Sequence, residues 1–156
     1  MKAKELIGIL LVLAAMTPSE GFAGSNRDGF GAGIIVGEPT GLDGKLWLSS
    51  STALQSAIAW STSNNSGLHF TLDYTIHKWG IFDIQKGALP LYFGIGGRFR
   101  IRDDRDDDLG VRIPVGMAYQ FANDPFDIFL EVVPVMDLAP DTDFSLNAAL
   151  GARFFF

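Results

Sequence analysis

Phe144-Ser145-Leu146-Asn147-Ala148-Ala149-Leu150-Gly151-Ala152-Arg153-Phe154-Phe155-Phe156 closes the chain, and its reading decides the fold. Counting back in steps of two from Phe156 gives Phe154, Ala152, Leu150, Ala148, Leu146 and Phe144, all apolar. The intervening residues, Phe155 apart, are small or polar: Arg153, Gly151, Ala149, Asn147 and Ser145. Successive side chains of a strand point to opposite faces, so this stretch is a strand with one apolar face and one polar or sterically small face.

Working outward, seven earlier stretches repeat the pattern. Phe30, Ala32, Ile34 and Val36 alternate with Gly31, Gly33 and Ile35; Leu42, Leu46 and Leu48 oppose Asp43, Lys45 and Trp47. Leu54, Ile58 and Trp60 form a weaker row, interrupted by Ser56. Leu68, Phe70, Leu72, Tyr74 and Ile76 oppose His69, Thr71, Asp73 and Thr75, and Leu91, Phe93, Ile95, Phe99 and Ile101 oppose Tyr92, Gly94, Gly96, Arg98 and Arg100. The row from Leu109 to Phe121 opposes Gly110, Arg112, Pro114, Gly116, Ala118 and Gln120. The row from Ile128 to Leu138 opposes Asp127, Phe129, Glu131, Val133, Val135 and Asp137. The segments between them carry Gly, Pro, Asn, Asp or Ser, as turns require. The expectation is an all-β, eight-stranded antiparallel up-and-down barrel, since closure removes exposed sheet edges. Most strands approach the ~9–11 residues of a tilted membrane-spanning strand.

Two barrels fit that order. A soluble lipocalin-like barrel buries its apolar face, whereas a membrane barrel turns it to lipid. Glycines at 31, 33, 94, 96, 110, 116 and 151 share the polar face. On a water-facing surface they weaken strands, but inside an eight-stranded barrel they make room where the interior just admits side chains. The apolar face therefore points outward. Phe30, Trp60, Tyr119, Phe121, Phe154 and Phe156 then fit aromatic girdles near the strand ends.

The bulk features agree. Lys2 and Lys4 precede an apolar run from Leu6 to Met16, and Gly21-Phe22-Ala23 suits cleavage before Gly24. Residues 1–23 read as a signal peptide and 24–156 as the barrel. Eleven apolar residues are too few for a spanning helix of ~20, and no later run is long enough. The net charge of −6 argues against nucleic acid as a partner. The absence of cysteine excludes a lipoprotein, a disulfide scaffold and thiolate chemistry.

With the apolar face outward, Arg98, Arg100, Arg112, Arg153, Asp73, Asp127, Glu131 and Asp137 point into the lumen. Charges in a narrow interior must pair, so an Arg–carboxylate network is expected, with Glu131 near its centre between Arg112 and Arg153. Such a network closes the lumen; the alternative is a narrow ion or small-solute channel. No nucleophile elbow, P-loop or dinucleotide fingerprint is present, and no enzyme, cofactor or metal centre is expected. His69 and His77 share a face but stand about 26 Å apart along a strand, too far to share a metal. The run Asp103, Asp104, Asp106, Asp107 and Asp108 reads as a solvated loop, with weak binding of a hard cation as its alternative.

Gly37-Glu38-Pro39-Thr40-Gly41-Leu42, Leu89-Pro90-Leu91-Tyr92, Gly110-Val111-Arg112-Ile113-Pro114-Val115-Gly116 and Phe129-Leu130-Glu131-Val132-Val133-Pro134-Val135 carry a resemblance. The chain resembles a widespread family of small, uncharacterised bacterial outer-membrane proteins with a spirochaetal branch, and is similar in architecture to OmpA/OmpX-type eight-stranded barrels. The resemblance implies a monomer in the outer membrane of a Gram-negative cell, surrounded by lipid. It also implies that Phe156 and Phe154 present an assembly signal to the barrel-assembly machinery. Both ends of the barrel segment are then periplasmic. The connections 38–40, 61–67, 102–108 and 139–143 are external, and the long connection 77–90 lies on the periplasmic side.

Overall fold

The structure, a computed structural model, describes residues 29–61, 67–102 and 106–156. The expected signal segment 1–23 and the residues Asp103 and Asp104 of the acidic run lie outside that set. Every regular element described is a strand: β1 (Phe30–Gly37), β2 (Gly41–Trp47), β3 (Thr52–Ser61), β4 (Gly67–Lys78), β5 (Leu91–Arg102), β6 (Asp108–Arg112), β7 (Val115–Gln120), β8 (Phe126–Ala139) and β9 (Asp143–Phe155). Each pairs antiparallel with its sequence neighbour, except that β6 and β7 lie end to end and both pair with β5 and β8. They are two halves of the single strand expected from 109 to 121. The break falls at Ile113-Pro114, because proline has no N–H for the ladder. The strand runs on through it: the Pro114 carbonyl accepts from Gly94 N at 2.9 Å, and Ile113 N donates to the Pro134 carbonyl at 3.0 Å.

β1 pairs with β9, from Gly31 opposite Phe155 to Gly37 opposite Ala149. That pairing closes the sheet into a ring of eight strands and leaves no long edge unpaired. One end of the barrel carries Phe156 and the connections 48–51, 79–90 and 121–125. The far end carries the connections 38–40 and 140–142, together with the end of β3, the start of β4, the end of β5 and the start of β6.

Burial alternates along the strands with the period read from the sequence. Leu146 and Leu150 are 64% and 53% exposed, while Arg153 on the opposite face is fully buried. Most large apolar side chains stand on the outer surface, including Ile34, Leu72, Ile95, Ile113 and Leu130, whereas Ile35, Val133 and Val135 are buried. The interior instead holds arginines, carboxylates, Lys45, both histidines and a few aromatic rings. A soluble barrel with its apolar face inward is the opposite arrangement.

The interior glycines accommodate particular rings. A Cβ on Gly31 would collide with the Phe155 ring, one on Gly116 with the Tyr92 ring, and one on Gly151 with the Phe129 ring. All three rings are buried. Gly151→Leu is therefore expected to destabilise the barrel by about 1–3 kcal/mol through overpacking, measured by denaturant unfolding from lipid vesicles. The substitution Ala148→Leu, on the outer face of the same strand, is expected to cost far less.

Candidate functional site

The distinctive chemistry lies in the lumen. Lys45, Arg98, Arg100, Arg102, Arg112 and Arg153 point inward, and so do Asp43, Asp73, Asp108, Asp127, Glu131 and Asp137. Among the described residues, six cations and six carboxylates point inward, so the described interior charges balance.

Three ion pairs share one construction. Arg153 Nη1 lies 3.4 Å from Asp43 Oδ2, Arg112 Nε 3.1 Å from Asp73 Oδ1, and Arg98 Nη2 2.5 Å from Asp137 Oδ2. In each, the partners sit two strands apart and a glycine occupies the strand between them. Gly33 is opposite both Arg153 and Asp43. Gly96 is opposite both Asp73 and Arg112, and Gly110 opposite both Arg98 and Asp137. Two inter-strand spacings of about 4.8 Å must be bridged, which needs an arginine's length and an unobstructed row. A Cβ on Gly96 would strike the Asp73 carboxylate, and one on Gly110 the Asp137 carboxylate. Gly96 and Gly110 thus supply the space through which the charges meet, while a Cβ on Gly33 would strike the Ala152 backbone carbonyl.

Further contacts surround these pairs. Arg153 Nε donates to Asp127 Oδ1 at 3.0 Å, and its guanidinium lies 3.9 Å from the centre of the Phe129 ring. Arg112 Nη2 donates to Glu131 Oε1 at 3.2 Å, while Tyr92 donates its hydroxyl to Glu131 Oε2 at 2.8 Å. Near the far end, Asp108 accepts from Arg100 at 3.4 Å and from Arg102 at 2.5 Å. Near the C-terminal end, Lys45 Nζ donates to His77 Nε2 at 2.7 Å and lies 4.2 Å from the centre of the Trp47 ring. Trp47 packs with Phe155 and Ala53, Trp79 lies against them, and His77 stacks with Tyr92 at 5.2 Å.

Several expectations need correction. Arg153 does not meet Glu131. The β8–β9 register sets Asp127 opposite Arg153 and Glu131 opposite Ala149. Glu131 therefore belongs with Arg112 and Tyr92, and Arg153 forms a separate cluster with Asp43 and Asp127. Asp108 leaves the acidic loop, because it begins β6 with its side chain inward on Arg100 and Arg102. Asp106 and Asp107 are exposed. Among the described residues, no three acidic or histidine side chains are grouped to hold a metal ion. The sequence reading placed Asp43 and Lys45 on the polar face of β2 but left them out of the charge network; their parity was the signal. The long connection both extends a strand and covers the mouth. β4 continues to Lys78, and Trp79 then caps the mouth, its Nε1 donating to the Ser50 carbonyl at 2.9 Å.

The Gly110 arrangement has a measurable consequence. Gly110→Ala is expected to destabilise the barrel by about 1–3 kcal/mol. In the Asp137→Ala background the same change is expected to cost at least about 1 kcal/mol less, because the carboxylate it displaces is gone. Unfolding of the four proteins of this cycle in vesicles measures the coupling; strict additivity would contradict the shared-space account.

The barrel is similar to the crystal structure of the N-terminal β-barrel domain of Pseudomonas aeruginosa OprF, with a TM-score of 0.61 at 18% identity, over 81% of this chain and 95% of that one. No family model and no curated protein matches the chain. At that identity the likeness establishes a shared eight-stranded barrel fold.

Proposed function

We propose that this chain is a non-catalytic integral barrel of the bacterial outer membrane, with a structural or interaction role and a lumen closed by its Arg–carboxylate clusters. The observation that carries the reading is the inversion of polarity: large apolar side chains cover the outside, while paired charges fill the inside. Lipid tails make the first favourable, and the second is tolerated because each buried charge meets a partner. The likeness to the N-terminal β-barrel domain of OprF supports the same reading at the level of fold. In this orientation the end carrying Phe156 faces the periplasm, where the C-terminal strand engages the assembly machinery.

Closure rests on the width of the barrel. Eight strands leave an interior that side chains fill. The Arg98, Arg112 and Arg153 pairs each cross two strands of that interior. The exposed connections 38–40 and 140–142 at the far end are short and offer little surface to a large soluble partner.

Two measurements test this reading. The protein is expected to fractionate with outer membranes and to migrate differently on a gel before and after boiling; a water-soluble, unshifted protein would refute the membrane assignment. In planar bilayers the folded protein is expected to be silent. Ohmic steps that disappear in Glu131→Ala would establish the narrow-channel alternative instead.

A further inference from the structure

Lys78 and Lys86 are the described basic residues that lie outside the lumen, and both flank the connection between β4 and β5. The far end exposes Glu38, Asp106, Asp107, Asp141 and Asp143, while its described bases, Arg100 and Arg102, are half-buried on Asp108. The placement of the two lysines is specific. Lys78 is exposed and continues the outward row of β4 after Leu72, Tyr74 and Ile76, so it stands where the lipid-facing wall ends. Lys86 is held to the same wall further round, because Tyr119, on the outward row of β7, donates its hydroxyl to the Lys86 carbonyl at 3.2 Å. Between them Ile81 and Phe82 are 52% and 41% exposed, although they sit in a turn where polar residues are the rule.

Apolar side chains flanked by lysines at the rim of a spanning wall are the components of an interfacial anchor. Rings and aliphatic groups enter the boundary between headgroups and acyl chains, and the ammonium groups reach phosphate. The segment is also continuous with a surface that already meets lipid. Tyr119 packs edge-on with Phe121 at 4.9 Å, and Phe121 with Phe126 at 5.5 Å, forming an aromatic patch at this end of the wall. Asp83 is the one acidic residue within the connection; counted from Lys78, the segment 78–90 carries one net positive charge.

We propose that residues 79–87 form a foot that rests on the inner leaflet of the outer membrane and binds the phosphate headgroups of anionic phospholipids through Lys78 and Lys86, with Ile81 and Phe82 inserted beside them. This inference rests on the reading of the chain as an outer-membrane barrel with its C-terminal end periplasmic. It assigns the long connection a lipid as its partner.

The chain has no cysteine, so single labels are clean. Phe82→Cys, and as a control Asp124→Cys in the exposed β7–β8 turn at the same end, are labelled with bimane and folded into nanodiscs of zwitterionic lipid or of lipid with added phosphatidylglycerol. Heat-shifted migration verifies insertion of each. The Phe82 label is expected to be blue-shifted and quenched by headgroup-proximal nitroxide lipids, while the Asp124 label stays aqueous. The preference for spin-labelled phosphatidylglycerol over phosphatidylcholine at Phe82 is expected to fall by up to about fivefold for each lysine replaced, in Lys78→Gln and Lys86→Gln. An inserted, heat-shifting barrel whose Phe82 label is as aqueous as Asp124 would overturn the foot alone and leave that surface to a periplasmic polypeptide. A chain that never enters the bilayer would overturn the barrel reading and the foot together.

Discussion

The structure depends on arginines crossing glycines. In an eight-stranded barrel the interior is about one layer of side chains wide, and a charge placed there has little access to water. Arg153, Arg112 and Arg98 each reach a carboxylate two strands away, over Gly33, Gly96 and Gly110 respectively. Removing one partner of such a pair costs about 3–5 kcal/mol, because the remaining charge is left buried and unpaired. The same rows fix the relative register of three strands at once. The arrangement makes the glycine content of the chain an electrostatic requirement as well as a packing one.

That constraint explains the inverted polarity of the whole molecule. Once the interior is committed to charges, to the rings of Trp47, Tyr92, Phe129 and Phe155 and to Ile35, Val133 and Val135, most of the remaining large apolar side chains must lie outside. On the proposed reading that surface meets lipid. The backbone makes the same demand, since closure through the β1–β9 pairing leaves few unpaired amides in the wall. The Pro114 interruption is tolerated because its carbonyl and the Ile113 N–H still find partners on β5 and β8.

Much of this was legible in the chain itself. The two-residue period of Phe144–Phe156 recurs in every strand, so element type, strand number and the facing of each side chain follow from local sequence. The lipid-facing direction followed from glycine parity, because a glycine-rich face is costly in water and useful in a crowded lumen. The pairing of charges was not legible. Strand adjacency put Arg153 beside the Glu131 strand, but the register offsets the two by four residues and brings Asp127 opposite instead. The pairs that skip a strand are further from local reading, since Asp43 and Arg153 are separated by most of the chain and meet only when β1 closes the ring. Asp108 illustrates a local limit. Composition joins it to an acidic loop, whereas the first pairing of β6 turns it onto Arg100 and Arg102.

The central claim, that the apolar rows face lipid and the charged rows face a closed interior, is tested most directly by scanning single nitroxide-labelled cysteines from residue 144 to 152 along β9 in lipid bilayers. Collision rates with oxygen, which concentrates in lipid, and with a water-soluble nickel chelate report the environment of each label. The account predicts oxygen maxima at 146, 148, 150 and 152, with low accessibility to both reagents at 149 and 151. Nickel accessibility peaking at the even positions, or no two-residue period in oxygen accessibility, would contradict it.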